Sequence, residues 1–230
     1  MDHSIVARMY TSIGRFFIYL VVSMFFLLLV ALGYIRVRGF FQTFRTVLNE
    51  NVLIVTNHPS WLDIFVLPVL FAPFYILGIP QRIPWSTAAV NIFPPALIPY
   101  VKCIMVDRSN KRSDVVCYRQ AARLLQSGKS LIIYFEGGRT SKSTEFVEWG
   151  GRRIRKTRRS ALYLAQDTYT RIIPVYIDFP HVSTPLSMCK SLLHLLRGNC
   201  MTIHLGRVSD PIGLTKEGLD HMVLTVGLHQ

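Results

Sequence analysis

Five short strand-like runs punctuate this chain: Val52-Leu53-Ile54-Val55, Ile104-Met105-Val106, Leu131-Ile132-Ile133-Tyr134-Phe135, Ile172–Ile177 and Met201–Leu205. Apolar residues at successive positions mark strands covered on both faces. Helix-like stretches separate them: residues 113–127, closed by Gly128, residues 152–167, and a last one at 215–225. Strands alternating with helices predict an α/β sandwich with a largely parallel sheet. Such sheets collect ligands at the carboxyl ends of their strands. Three strand ends here carry chemistry: His58, Arg108, and Glu136 through Arg139.

The first is the loop Asn57-His58-Pro59-Ser60-Trp61-Leu62-Asp63. An imidazole titrates near neutrality, so His58 can take a proton from a substrate. A carboxylate five positions on can hold the other ring nitrogen and stabilise the imidazolium. Pro59 turns the chain and Ser60 suits a helix N-cap, which places Asp63 in the first helical turn. The same residues also fit a capping box, with Asp63 closing back on Ser60 and His58 an ordinary loop histidine. Ser60 is read as a cap rather than a nucleophile.

Glu136-Gly137-Gly138-Arg139 follows the third run directly. Glycines let backbone N–H groups turn toward an anion, and an arginine grips phosphate bidentately. A tight turn with a solvated Arg139 is the plainer alternative. Asp107-Arg108 is either a surface ion pair or, by its place at a strand end, a second phosphate grip.

Residues 16–35 are uncharged throughout, and a helix of that length spans about 30 Å, the hydrocarbon core of a bilayer. A secretory signal competes, but the stretch is longer than a signal core and Arg36 and Arg38 follow at once. Arginines flank both ends, so charge gives no orientation, and a helix lying in one leaflet or re-entering fits nearly as well as a spanning one. The chain therefore divides into an N-terminal membrane-anchoring helix, residues 1–38, and a domain over 39–230. Residues 39–50 read as a short amphipathic connection with Phe40, Phe41 and Phe44. Residues 63–79 are almost wholly apolar but interrupted by Pro68 and Pro73, which fits a kinked core helix, or else a membrane-dipping surface or acyl-chain wall beside His58. Residues 84–99, with Pro84, Pro94, Pro95 and Pro99, read as an irregular segment on the substrate side.

The chain carries 26 Lys and Arg against 13 Asp and Glu, a net charge of +13. That excess calls for an anionic partner: membrane lipid, nucleic acid, or a phosphorylated or acidic substrate. Six of the charges fall in Arg152-Arg153-Ile154-Arg155-Lys156-Thr157-Arg158-Arg159, on the expected helix 152–167. This is either a solvated helix face or a contact for anionic lipid, coenzyme A phosphates or an acidic acyl carrier protein. No nucleic-acid-binding motif accompanies the charge, so nucleic acid is not an expected partner. Cys103, Cys117, Cys189 and Cys200 lack C-x-x-C spacing and form no metal pattern with the seven histidines. Reduced thiols point to a domain facing the cytosol.

Together these blocks resemble the 1-acyl-glycerol-3-phosphate (lysophosphatidic acid) acyltransferase family of the glycerolipid acyltransferases. His58 through Asp63 matches its H-x4-D block, and Val106-Asp107-Arg108 the second. Phe135-Glu136-Gly137-Gly138-Arg139-Thr140 matches the third, usually written F-P-E-G-T-R-S, and Ile172-Ile173-Pro174-Val175-Tyr176 the fourth. Gly206 and Pro211-Ile212 resemble the turn that closes the domain, so the likeness runs in order over residues 40–212. It implies a membrane-bound enzyme, its catalytic domain on the cytoplasmic face, that moves a fatty acyl group from acyl-coenzyme A or acyl carrier protein to the free hydroxyl of lysophosphatidic acid, giving phosphatidic acid. It implies His58 as base, Asp63 as its orienting partner, Arg108 and Arg139 as phosphate grips, and Glu136, Gly137 and Gly138 as the acceptor loop, with no metal or bound cofactor. Phe135 stands where the family carries proline and Gly138 where it carries threonine, which leaves open another lysophospholipid or an amine-lipid acceptor. A non-catalytic lipid-binding relative is a third reading, opposed by the intact His58 and Asp63.

Overall fold

The computed structural model describes residues 14, 17, 20–60, 62–89, 102–107, 110–137, 145–156, 158–179, 192–193, 195–198 and 200–228. Its strands are β1 (Ile35–Arg38), β2 (Val52–Thr56), β3 (Trp85–Ala89), β4 (Cys103–Val106), β5 (Leu131–Tyr134), β6 (Phe146–Trp149), β7 (Arg152–Arg155), β8 (Arg171–Asp178) and β9 (Met201–Leu205). Seven of them form one sheet in the order β1-β9-β8-β2-β5-β3-β4, while β6 and β7 form a separate antiparallel pair. Every neighbouring pair of the main sheet is parallel except β8 with β9. The helices are α1 (residues 20–31), α2 (Phe40–Asn49), α3 (Asp63–Leu70), α4 (Pro73–Ile76), α5 (Lys111–Gln126), α6 (Ser160–Thr168) and α7 (Lys216–Thr225).

Alternation along the inner strands divides the core in two. Ile54, Ile132 and Ile173 pack with Val47, Leu67 and Phe74; Leu53, Leu131 and Ile172 pack with Leu125, Leu164 and Val223. All five residues of β2 are buried, which is why its sequence is an unbroken apolar run. The expected α/β sandwich with a largely parallel sheet is the fold.

Residues 152–155 are strand, not the start of a helix. Gly150 and Gly151 hold φ of 55° and 76° and close β6 onto β7 as a two-residue turn. A mirror-image hairpin turn needs positive φ at both positions, so the glycine pair was the signal. Ile154 is the buried residue of β7, and the helix begins only at Ser160. Among the described residues no continuous basic helix face forms: Lys156 pairs with Glu145 at 2.9 Å, and Arg153 lies over the Phe146 ring. The Arg152 guanidinium donates to the carbonyls of Leu224 and Val226 and lies 4.5 Å from the Tyr176 ring centroid, a structural brace rather than a docking charge.

The uncharged run 16–35 is not helical to its end. Helix α1 stops at residue 31, Gly33 turns the chain with φ 77°, and β1 pairs with β9. Ser23, Phe26 and Leu29 are buried, a stripe at every third position, whereas Val21, Met24, Leu27, Leu28 and Leu32 are exposed. Among the described residues no helix is long and apolar enough to cross a membrane. The expected boundary after residue 38 falls just behind β1, a strand of the main sheet whose Ile35 sits in the core.

Of the two prolines expected to interrupt 63–79, Pro73 does so, opening α4 and separating it from α3, whereas Pro68 sits inside α3, which runs on to Leu70. Ile64, Leu67, Phe71 and Phe74 are core, while Ile76 is 85% exposed. The segment expected to be irregular begins instead with β3, where Ser86 and Ala88 are buried between β5 and β4; residues 90–101 lie outside the described residues.

Candidate active site

β2, β5, β3 and β4 run parallel, so their carboxyl ends share one edge of the sheet. At the end of β2, Asn57 accepts from the Ile177 N–H and donates to its carbonyl, which fixes the departing chain to β8. His58 follows, almost fully buried, with its backbone N–H 3.3 Å from Oε1 of Glu136. Its Nδ1 lies 3.0 Å from both carboxylate oxygens of Asp63. One of those oxygens also accepts from the Ser60 N–H at 3.2 Å, so the carboxylate closes back on Ser60 while it holds the histidine, without the reciprocal bond that would complete a capping box. The Ser60 hydroxyl is buried and accepts from the Leu62 N–H, which tightens the turn ahead of α3; the N-cap itself is Leu62, without a side-chain cap bond, so Ser60 is not the cap the sequence suggested.

Tyr134, the last residue of β5, supports this loop from beneath. Its hydroxyl donates to the Asp63 carbonyl at 3.0 Å, and its ring lies 4.8 Å from the His58 ring. Burial, with Asp63 and Cys103 nearby, pushes its pKa well above the usual phenol value, so it stays a neutral donor. Asp63 engages Nδ1, which leaves Nε2 for the cavity of about 310 Å³ that His58 lines together with Ile64, Ala88, Phe135, Gly137 and Arg158. A neutral imidazole held this way can accept a proton at Nε2.

Of the expected site residues, the fold brings His58, Asp63, Glu136 and Gly137 together. Glu136 is buried, and Gly137 takes φ 64°. Arg108, Gly138 and Arg139 lie outside the described residues. Asn57, Tyr134 and Arg158 were not foreseen at this site. Asn57 adjoins His58, but nothing in the sequence names its partner across the sheet. Arg158 was placed in a different element. Among the described residues no group of three or more His, Cys, Asp or Glu side chains stands together as a metal site.

A family model described as Acyltransferase matches residues 35–178. Among solved structures, the chain is similar to the crystal structure of the 1-acyl-sn-glycerophosphate (LPA) acyltransferase PlsC from Thermotoga maritima. The identity is 18% and the TM-score 0.55, over 84% of this chain and 70% of that one. At that identity the likeness concerns the fold. No curated protein matches the sequence. The family match runs from β1 to the end of β8 and takes in the whole cluster around His58. With most of the chain inside the match and its sheet folded as in PlsC, this chain belongs to the acyltransferase family.

Proposed function

We propose that the enzyme transfers a fatty acyl group from an acyl thioester to the free hydroxyl of lysophosphatidic acid, giving phosphatidic acid. The observation that carries the reading is the buried His58–Asp63 pair, with Nδ1 held and Nε2 left for a cavity at the strand ends. In the proposed reaction His58 Nε2 takes the proton of the acceptor hydroxyl as its oxygen attacks the thioester carbonyl. The tetrahedral intermediate expels the thiolate, which recovers the proton from the imidazolium. Asp63 keeps the tautomer and stabilises that imidazolium. The chemistry forms no acyl-enzyme and calls on no metal or bound cofactor. Arg108 and Arg139 remain the proposed phosphate grips, with Glu136, Gly137 and Gly138 shaping the acceptor loop.

We also propose that the protein works on a membrane surface. An apolar cavity of about 360 Å³ opens between α1 and the α3–α4 turn, lined by Met24, Leu27, Phe40, Phe41, Val69 and Ile76. Phe41 and Ile76 at its rim are 86% and 85% exposed. Exposed apolar residues gathered like this mark a lipid or protein contact. Free thiols at Cys103, Cys117 and Cys200 support a cytoplasmic face.

A second reading keeps the mechanism and changes the acceptor. Phe135, standing where the resembled family carries proline, is buried and lines the His58 cavity, so it shapes what enters. The deciding experiment is acyl transfer from labelled acyl-coenzyme A and acyl carrier protein to a panel of lysophospholipids, with His58→Ala as control. Turnover on lysophosphatidic acid that vanishes in the mutant supports the reading and ranks the donors. Turnover on another acceptor alone replaces the substrate. Lipid binding without turnover replaces the enzyme with a binding protein.

A further inference from the structure

Arg158 lies at the mouth of the His58 cavity, not on a basic helix face. Its backbone N–H donates to the Phe135 carbonyl at 3.3 Å, tying it to the turn that follows β5. Its side chain crosses Gly137 so closely that a Cβ there would stand 2.9 Å from Nε and 3.1 Å from Cδ. Glycine at 137 therefore serves twice: it takes φ 64° and it leaves room for the guanidinium. Across the mouth stands Asp114, in the first turn of α5, with its carboxylate 3.8 Å from Nη1. Both side chains are more than half exposed. A pair that long and that wet is weak. Among the described residues, Arg158 is the Lys or Arg on the cavity lining and Asp114 its carboxylate.

We propose that Arg158 is a specificity-determining residue that takes the phosphate of the acceptor and gives up Asp114 to do so; this rests on the lysophospholipid reading above. A phosphate monoester offers more charge than one distant carboxylate and three oxygens that match the guanidinium fork. Its ester-linked glycerol then extends into the cavity toward His58. Asp114 disfavours that anion when the site is empty and keeps the guanidinium at the mouth. An acceptor without a phosphate group leaves the Arg158–Asp114 pair in place.

The test is titration calorimetry of the full chain with sn-glycerol 3-phosphate, the soluble headgroup, and separately with coenzyme A, whose phosphates share the chemistry. The variants are Arg158→Gln, Arg158→Lys and Asp114→Asn, each compared with wild type by circular dichroism. Arg158→Gln should weaken glycerol 3-phosphate binding at least about tenfold, with partial recovery in Arg158→Lys. Asp114→Asn should tighten it by about two- to fivefold. Coenzyme A affinity should not move in any variant. Weakened coenzyme A binding in Arg158→Gln would assign the residue to the donor and overturn the proposal. Unchanged glycerol 3-phosphate binding in Arg158→Gln, or a wild type that does not bind it, would do the same. Turnover on intact lipids judges the lysophospholipid reading separately, so the two failures are distinguishable.

Discussion

The side-chain amide of Asn57 pairs with the backbone of Ile177 on both sides, accepting from its N–H at 2.7 Å and donating to its carbonyl at 2.9 Å. It supplies the sheet rung that β2 gives up as the chain turns toward His58. Removing it leaves two buried backbone groups unpaired. Asn57→Ala is expected to lower stability by about 1–3 kcal/mol and to reduce turnover through the displaced His58. Urea unfolding midpoints and initial rates check both, and an unchanged midpoint would remove Asn57 from the support of the site.

His58→Ala should slow acyl transfer on the order of 10²–10⁴-fold. Asp63→Asn keeps the shape but removes the charge beside Nδ1, and a loss of the same order is expected. Because Asp63 also accepts from the Ser60 N–H, its Asn variant should lose some thermal stability as well. Rates taken with saturating acceptor separate the chemical loss from a binding loss.

Arg152 braces β7 against the end of α7, so Arg152→Met should destabilise the fold by about 1–3 kcal/mol. It should leave vesicle and donor affinity alone. Thermal melts beside vesicle flotation decide this; weakened flotation with an unchanged melt would return Arg152 to the membrane surface.

His204 is buried on β9, and burial together with the positive charges of Arg152 and Arg38 pushes its pKa down to about 4, against a smaller opposing pull from Asp178. An unfolded imidazole takes up a proton below about 6.5. The unfolded state therefore binds more protons between those values, and this contribution to stability is present above pH 6.5 and lost as pH falls toward 4. The expected slope is up to about 1.4 kcal/mol per pH unit. A His204→Gln variant should show a flatter stability profile over that window in urea titrations.

Phe41 and Ile76 rim the apolar cavity from α2 and α4. The double change Phe41→Glu and Ile76→Glu should reduce flotation with phospholipid vesicles severalfold and leave the melting temperature nearly unchanged, since both side chains are exposed. Flotation equal to wild type would remove this face from the membrane reading.

β2, β5, β8 and β9 were legible because burial on both faces or at regular positions writes itself into a short apolar run. β3 was not: Trp85-Ser86-Thr87-Ala88-Ala89 has strand character only through its neighbours β5 and β4. The hairpin was hidden by charge, since Arg152-Arg153-Ile154-Arg155 looks like a basic helix until Gly150-Gly151 is read as its turn. Within the site, the His58–Asp63 geometry is local, spanning five positions, and local geometry survives in sequence. Asn57 and Tyr134 take their meaning from partners 120 and 71 positions away, which no spacing within one segment reveals.

The pairing of β1 with β9 also orders the events of synthesis. Ile35 waits for Met201 to complete its ladder, and at ribosomal speeds the intervening chain takes roughly 10–30 s to appear. Throughout that interval β1 has no neighbour in the sheet, whereas Phe26 and Leu29 of α1 share a core cluster with Val66 and Phe74, which are made soon after them. Of the strands in the sheet, the first in chain order is therefore the last to find its place.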